Sequence, residues 1–251
     1  MANWTWFHRL GSPRWFYERS SVWLKWLVPL TVIVMLTGLV WGLAIAPPDA
    51  KQGNSMRIFY IHVPSAMLSL AGFYLMAIAG AVGLIWRMKL AFVAMKCSAP
   101  IGAALTAVAL ITGAIWGKPT WGTYWEWDAK LTSMLILFFL YLGVVALQEA
   151  YADKEAGSKA SAVLALVGTV NIPIIYKAAD WWNTLHQPAT FKLTERSSID
   201  PSMAWPFWVM IVGFYGFFAV VLFLRMRNEV IYRERRTQWV KALVTESARE
   251  S

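Results

Sequence analysis

The sequence predicts an all-α integral membrane protein that consists of a bundle of six transmembrane helices. The chain is 58% hydrophobic and only 15% charged, and its mean hydropathy of +0.48 is typical of membrane proteins. Six apolar runs approach or exceed the roughly 20 residues that a helix needs to cross a bilayer. These runs are Trp26–Ala46, Val63–Trp86, Cys97–Trp116, Leu131–Leu147, Ala160–Tyr176 and Met203–Leu224. They leave little sequence for a soluble domain, so we expect residues 1–251 to form a single membrane domain.

The apolar runs differ in how clearly they begin and end. Ala44-Ile45-Ala46 is similar to a signal-peptide cleavage site, but the 21 residues of the first run exceed the roughly 7–15 of a signal-peptide core, so we expect a retained span. Pro64 is tolerated in the first turn of a helix, which predicts that His62 lies at or just before the start of the second span. The fourth and fifth runs have only 17 residues each and are expected to take in flanking residues.

Lysine and arginine residues are divided unequally between alternate loops. Sixteen of the 23 lie in the N-terminal segment, the second and fourth loops and the C-terminal tail, and seven lie in the other three loops. Because cytoplasmic loops attract lysine and arginine, we expect both termini in the cytoplasm and the third loop on the outer side. The formal net charge of +9 therefore indicates topology and contacts with membrane lipids rather than nucleic-acid binding.

Both terminal segments are expected to lie at the cytoplasmic surface. Residues 1–24 are basic and aromatic, which is typical of a short amphipathic segment on a membrane surface. His8 lies in this segment and is interpreted as an ordinary surface residue. Residues 225–251 form a basic tail that we interpret as a topology anchor or a contact for anionic lipids.

Two classes of chemistry are excluded by what the sequence lacks. Cys97 is the only cysteine, so neither an intramolecular disulfide nor a thiolate metal cluster can form. The chain also contains no Gly-x-x-x-x-Gly-Lys-Ser/Thr phosphate-binding loop, so it cannot energise transport itself. We therefore expect a protein that is not an enzyme on its own.

The most unusual stretch is Trp116–Asp128, with the sequence Trp-Gly-Lys-Pro-Thr-Trp-Gly-Thr-Tyr-Trp-Glu-Trp-Asp. Its two glycines and its proline disfavour a core helix. A disordered linker would not carry four tryptophans and a tyrosine. We expect residues 116–130 to form an aromatic loop at the outer membrane surface.

Two of the three histidines, His62 and His186, are predicted to lie on the same outer face as this loop. Two histidines without cysteines or paired carboxylates make a poor zinc site. Two imidazoles beside a large aromatic surface suit a flat macrocycle whose iron takes an axial ligand on each face. Basic residues on this face would meet the propionates of a haem; they are Arg57, Lys118, Lys130, Lys177, Lys192 and Arg196. The alternative is that the tryptophans form an interfacial belt and the histidines are polar caps.

The segment Trp121-Gly122-Thr123-Tyr124-Trp125-Glu126-Trp127-Asp128 resembles the Trp-Gly-x-x-Trp-x-Trp-Asp signature of the tryptophan-rich haem-handling proteins of cytochrome c biogenesis. Two further stretches are similar to one branch of these proteins, the cytochrome c maturation protein C family of the bacterial system I pathway. They are His62-Val63-Pro64-Ser65-Ala66 and Trp181-Trp182-Asn183-Thr184-Leu185-His186-Gln187. With the length and the six-span layout, the resemblance covers nearly the whole chain.

The resemblance implies a set of site residues. It implies that His62 and His186 are the axial ligands of a transiently bound b-type haem. The platform under the macrocycle would comprise Trp121, Gly122, Trp125, Trp127 and Asp128. The family often has arginine where Lys130 stands, and lysine keeps the charge but loses the bidentate fork, so the resemblance does not carry a propionate contact over to this position.

The resemblance also implies a cellular setting and partners. It implies a multi-pass protein of the bacterial inner membrane whose haem site faces the periplasm and supplies a periplasmic haem chaperone, cytochrome c maturation protein E. The further partners would be cytochrome c maturation proteins A and B, which form the ABC transporter of the same system, and its small membrane component, cytochrome c maturation protein D. These expectations describe a haem-handling subunit of c-type cytochrome biogenesis.

Two other functions compete with this interpretation. A b-type cytochrome electron-transfer subunit would use histidine pairs buried between helices, but no apolar run carries a histidine in its middle. A small-molecule permease would need polar or charged side chains near the midplane of the membrane, and these runs have almost none. Both alternatives fit the sequence less well than a haem-handling subunit.

Overall fold

The computed structural model describes residues 11–186 and 200–250, with side chains through residue 246. Within these residues it contains no β-strand, and six helical segments are long and apolar enough to cross a membrane. The segments are Pro13–Ile45, Asn54–Trp86, Lys89–Trp121, Ala129–Ala150, Lys154–Trp181 and Pro201–Glu234. The predicted all-α bundle with six transmembrane helices is therefore confirmed. His8, Gln187, Lys192 and Arg196 lie outside the described residues.

The α-helices of the described chain are numbered in order. They are α1 (Pro13–Val40), α2 (Phe59–Trp86), α3 (Lys89–Trp121), α4 (Ala129–Ala150), α5 (Lys154–Gly168), α6 (Asn171–Trp181), α7 (Pro201–Glu234) and α8 (Gln238–Glu250). One π-helical turn, Trp41–Ile45, extends α1, and a 3₁₀ helix, Asn54–Ile58, leads into α2. Helices α5 and α6 together make the fifth span.

Polar residues at the helix N-termini explain why the spans extend beyond the apolar runs. The Asp128 carboxylate accepts a hydrogen bond from the Leu131 amide at 2.7 Å and so caps α4. Asp153 caps α5 by accepting a hydrogen bond from the Glu155 amide at 2.9 Å. Such caps satisfy backbone donors that a helix cannot satisfy itself. The fourth and fifth spans reach 22 and 28 residues, which confirms that both take in flanking residues.

Three helix boundaries differ from the sequence predictions. Helix α1 begins at Pro13, a favourable first position for proline, so the described part of the predicted surface segment 1–24 is continuous with the first span. Helix α2 begins at Phe59 because the 3₁₀ helix supplies the turn before it, so His62 is its fourth residue and Pro64 lies beyond its first turn. Helix α3 runs on to Trp121, so the expectation that glycine and proline exclude a helix is wrong for residues 116–121.

Helices α2 and α3 form the centre of the bundle. On one side they pack against α7, which in turn packs against α1, and Tyr60 and Phe207 are almost wholly buried there. On the other side they pack against α4 and α5, where Phe73 contacts Tyr141 and the Tyr141 hydroxyl donates a hydrogen bond to the Ser69 carbonyl at 2.7 Å. Each span keeps large apolar side chains exposed on its outer surface, as expected of helices that face lipid; examples are Ile33, Ile78, Ile111, Phe139, Val167 and Val212.

The start of α1 and the end of α7 meet at one end of the bundle, here termed the basic end. The Arg227 guanidinium donates a hydrogen bond to the Tyr17 carbonyl at 2.6 Å and lies 3.9 Å from the centroid of the Tyr17 ring. Lys96 forms an ion pair with Glu229 at 3.0 Å. The basic tail therefore makes structural contacts in addition to carrying charge, and both ends of the six-span region lie on the same side.

Candidate functional site

The candidate site residues lie at the opposite end of the bundle, here termed the tryptophan end. It is formed by the start of α2, the end of α3, the loop 122–128, the start of α4 and residues 182–186 after α6. Because the spans alternate in direction, segments that are far apart in sequence return to this end. His62, the tryptophan-rich stretch and His186 come from three such segments.

His62 is held between α2 and α3. Its Nδ1 atom lies 3.1 Å from the Thr112 hydroxyl oxygen. Its ring meets the Trp116 ring edge to face, with 5.7 Å between the centroids. Gly113 lets α3 approach the imidazole, because a Cβ atom at this position would come within 2.8 Å of His62 Cε1. Three residues within about one turn of α3 therefore fix the position of this ring.

The loop between the first and second spans supports Trp116 in turn. The indole Nε1 of Trp116 donates a hydrogen bond to the Gln52 side-chain oxygen at 2.7 Å. The Arg57 guanidinium donates hydrogen bonds to the Leu43 and Ala46 carbonyls at 2.5 and 3.1 Å. Arg57, one of the cations predicted to meet a propionate, thus stabilises the end of the first span.

The tryptophan-rich loop begins where α3 is stopped by Gly122. This glycine adopts φ = +82°, a left-handed conformation that favours glycine, and its amide donates to the Lys118 carbonyl. Trp125 and Trp127 then pack edge to face with 5.3 Å between their ring centroids. Trp127 is 74% exposed, whereas the Trp125 Nε1 atom is buried and has no hydrogen-bond partner among the described residues.

Asp128 joins the loop, α4 and the second histidine. While Oδ1 caps α4, Oδ2 accepts a hydrogen bond from the Leu185 amide at 3.2 Å. Oδ2 also lies 3.7 Å from His186 Nδ1, which is too long for a hydrogen bond but close enough for an electrostatic attraction. The carboxylate is buried, with 4% of its side chain exposed. It therefore fixes the short segment that carries His186 to the start of α4.

His186 packs against Trp121, with 4.8 Å between the ring centroids. The pKa of His186 is lowered to about 4, mainly by burial and also by the positive charge of Lys130, while the Asp128 carboxylate opposes both effects. The imidazole is neutral at pH 7, which is the form that binds a metal ion. Its Nδ1 atom is buried and has no hydrogen-bond partner in the described part of the chain.

Electrostatic interactions connect the polar groups at the tryptophan end. His62 lies close enough to His186 for their charged forms to repel each other, and both imidazoles lie within electrostatic reach of Lys130. Lys130 also interacts with Asp128 and Asp180, although no described carboxylate comes within ion-pair distance of its ammonium group. The two histidines therefore lie within electrostatic reach of each other and of the same cation.

The other described cations predicted to meet propionates are engaged within the protein. Lys118 donates a hydrogen bond to the Gly122 carbonyl at 2.9 Å and lies 5.3 Å from the centroid of the Tyr124 ring. Lys177 forms an ion pair with Asp180 at 3.0 Å. These contacts lie at the end of α3 and at the end of α6.

Known proteins match this chain along almost its whole length. Residues 6–241 match the family model of heme exporter protein C. The chain is 44% identical to heme exporter protein C of Escherichia coli strain K12 over 247 residues, which are 98% of this chain and 100% of that protein. It is 45% identical to heme exporter protein C of Haemophilus influenzae over 240 residues, 96% of this chain and 98% of that protein. It is 48% identical to heme exporter protein C of Bradyrhizobium diazoefficiens over 228 residues, 91% of this chain and 86% of that protein.

The chain belongs to the heme exporter protein C family. The resemblance carried by the tryptophan-rich signature is therefore confirmed. In this member of the family, the signature residues Trp121–Asp128 cover the last residue of α3, the whole loop and the N-cap of α4.

The tryptophan end fits a haem by the chemistry of its side chains. Two imidazoles suit the iron, and the tryptophan rings suit the faces and edges of a macrocycle. The buried N–H of Trp125 is a donor without a described partner, and a carboxylate of the ligand would satisfy it. No three His, Cys, Asp or Glu side chains of the described residues converge into a site for a bare metal ion. Iron that is already bound in a macrocycle fits this donor set better.

Sequence reasoning missed three residues that organise the site. Thr112 and Gln52 contact His62 and Trp116, and the Leu185 amide ties the His186 segment to Asp128. Thr112 carried a detectable signal, since it lies four residues before Trp116 and therefore on the same face of a helix. Gln52 and Leu185 carried none, because loop contacts do not follow a period.

Proposed function

We propose that the chain holds haem at the tryptophan end of the bundle and passes it to a haem-accepting protein outside the cytoplasm. The observation that carries this proposal is the convergence of two imidazoles, each beside a tryptophan ring. His62 lies against Trp116, and His186 lies against Trp121. Membership of the heme exporter protein C family supports haem as the ligand.

In this proposal His62 and His186 bind the iron from opposite faces of a transiently bound b-type haem. Trp121, Gly122, Trp125, Trp127 and Asp128 form the surroundings of the macrocycle. The exposed rings of Trp127 and Tyr124 suit a site from which a ligand edge remains accessible to a partner. The chain itself catalyses no reaction; it binds, orients and presents the haem.

The recipient is a periplasmic haem chaperone, cytochrome c maturation protein E of the system that the signature implies. Cytochrome c maturation proteins A and B, which form an ABC transporter, and the small membrane protein cytochrome c maturation protein D complete the assembly. The ATP-driven partner supplies the energy for release of the loaded chaperone, since this sequence has no phosphate-binding loop of its own.

Orientation is part of the proposal, because the haem must be presented on the periplasmic side of the inner membrane. The unequal distribution of lysine and arginine supports cytoplasmic termini. A reporter that works only outside the cytoplasm should be active after Pro48, Thr123 or Phe191 and inactive after Lys89 or Asp153. Phe191 lies outside the described residues. Activity after Asp153 would overturn the orientation.

The function itself is tested by loading of the chaperone in cells. The double variant His62→Ala/His186→Ala should reach wild-type abundance in the membrane but produce no covalently haem-loaded chaperone. His8→Ala is the matched histidine control and should load the chaperone normally. Wild-type loading by the double variant would refute the proposed function.

A further inference from the structure

Thr112 is the polar partner of His62, and the hydrogen of its hydroxyl group is already engaged. Its Oγ1 atom lies 2.6 Å from the Val108 carbonyl oxygen and 3.3 Å from the Ala109 carbonyl oxygen. A hydroxyl group has one hydrogen to donate and two lone pairs to accept with. Two oxygens 2.6 Å apart would repel each other without a hydrogen between them, so the Thr112 hydrogen points to Val108. The hydroxyl therefore offers a lone pair to the imidazole.

This geometry determines which nitrogen of His62 carries the proton. The Nδ1 atom is 3.1 Å from Thr112 Oγ1, and two lone pairs at this distance would repel each other. Nδ1 must therefore be the donor. A neutral imidazole has one N–H group, so Nε2 is left with a free lone pair.

We propose that Thr112 is a positioning residue for His62, because its hydroxyl accepts the Nδ1 hydrogen and leaves Nε2 unprotonated and available to haem iron. This inference rests on the proposed function, in which His62 is an iron ligand. Nε2 makes no hydrogen bond to a described residue, and the Trp116 ring and Gly113 confine the imidazole from two sides. Metal-binding histidines almost always donate their second N–H to a fixed acceptor, which sets the ring orientation and raises the basicity of the ligand.

The tautomer can be measured without any haem. The full-length apoprotein is labelled with ¹⁵N-histidine in lipid nanodiscs, and the ring-nitrogen chemical shifts distinguish an Nδ1–H from an Nε2–H imidazole. The chain has three histidines, so the His62 signals are identified by their loss in His62→Gln. The wild type should show the Nδ1–H form at His62, Thr112→Ser should keep it, and Thr112→Val should lose it.

Thr106→Val is the matched control for Thr112→Val. The Thr106 hydroxyl also donates to a carbonyl of its own helix, that of Gly102 at 2.7 Å, and α3 carries both threonines. The control therefore removes the same kind of bond without touching a histidine. It should leave the His62 tautomer and the haem affinity unchanged.

The haem-loaded protein supplies a second readout. In Thr112→Val, we expect haem affinity to fall by about 10-fold, the usual lower range for loss of a partner of a metal ligand. The reduction potential of the bound haem should shift to a more positive value, because a less basic axial ligand stabilises the oxidised iron less. Thr112→Ser should restore both properties, which a role in packing alone would not predict.

The outcomes separate this inference from the proposed function. An Nε2–H tautomer at His62 in the wild type, or an unchanged tautomer in Thr112→Val, would overturn the role of Thr112. An unchanged haem affinity and potential in Thr112→Val would overturn it as well. If His62→Gly instead binds haem like the wild type, His62 is not an iron ligand and the proposed function is wrong on this point, regardless of the tautomer of His62.

Discussion

The two histidines at the tryptophan end are held in different ways. His62 projects from the regular helix α2 onto the regular helix α3, where a hydrogen-bond partner, a glycine and a tryptophan surround it. His186 lies on a short segment after α6, and the Asp128 carboxylate reaches its Nδ1 atom only at 3.7 Å. The surroundings of His62 are formed by the two central helices, whereas those of His186 combine the last residue of α3, the N-cap of α4 and a short segment after α6.

This difference suits a protein that must hold a ligand and also release it. A residue on packed helices moves little, whereas loops are drawn from the less stable parts of a fold. We therefore expect the His62 side to act as the fixed support of the haem and the His186 side to adjust when the haem leaves.

Removal of either imidazole should have the largest effect. His62→Gly and His186→Gly should each lower haem affinity by at least about 100-fold, since loss of an outer partner of a ligand alone costs about 10–100-fold. Added imidazole should restore binding in both, and at a lower concentration in His62→Gly, where Thr112 and Trp116 enclose the vacated space. Titration of the purified variants with haem and imidazole measures both effects. Equal imidazole requirements would argue against the difference between the two sides.

Loss of the tryptophan surface should have the next largest effect. Trp121→Ala together with Trp125→Ala removes two aromatic contacts of about 0.5–1.5 kcal/mol each, which corresponds to about 5- to 150-fold in affinity. The fold and part of the haem binding should survive, while the amount of covalently haem-loaded chaperone should fall. The matched control is Trp205→Ala, an exposed tryptophan at the start of α7. If the double variant loads the chaperone at the wild-type level, the tryptophans are an interfacial belt.

Two substitutions of Asp128 separate its structural role from its role at His186. Asn is a good N-cap, so Asp128→Asn should keep the stability of α4 but lower haem affinity by about 10-fold through loss of the charge beside His186. Asp128→Ala should lose the cap as well, at about 1 kcal/mol of unfolding free energy. Thermal unfolding and haem titration of both variants distinguish the two roles. Wild-type haem affinity in Asp128→Asn would show that Asp128 acts only as a helix cap.

The smallest effect is expected at Gly122. Alanine in a left-handed conformation costs about 1 kcal/mol, so Gly122→Ala should lower stability slightly and haem affinity by less than about 10-fold. Gly53→Ala is a control outside the tryptophan end, because Gly53 also has a positive φ, of 56°, and a Cβ atom would meet no atom within 4 Å at either glycine. The ψ of Gly53 is −135°, whereas that of Gly122 is −4°, so Gly53→Ala should lose more stability than Gly122→Ala in thermal unfolding. Only Gly122→Ala should change haem affinity. An equal change of haem affinity in both variants would show that Gly122 is not part of the haem site.

The fold was predictable because apolar runs determine membrane spans almost directly. Each of the six runs became a span, and the short fourth run was completed by its Asp128 cap. The ends of the helices were not predictable from hydropathy. Trp116–Trp121 stayed helical because Gly122 supplies a left-handed stop six residues beyond the end of the apolar run.

Candidate site residues could be chosen from the sequence where residue type carries chemistry. Histidine and tryptophan are informative because few structural roles require them at a loop, so His62, His186 and Trp121 were identified from type and position. The contacts of Thr112 and Arg57 were not predictable, because a threonine in a span and an arginine in a loop have many ordinary roles. Their functions depend on which carbonyl or nitrogen lies opposite, and that follows only from how α1, α2 and α3 pack.

The most direct test of the account is the absorption and electron paramagnetic resonance spectrum of the purified protein loaded with haem. Two imidazole ligands predict a low-spin iron signal in the wild type. Either single variant, His62→Gly or His186→Gly, should lose this signal and regain it with added imidazole. An unchanged low-spin spectrum and haem content in the variant that lacks both His62 and His186 would contradict the central claim that these two residues hold the iron.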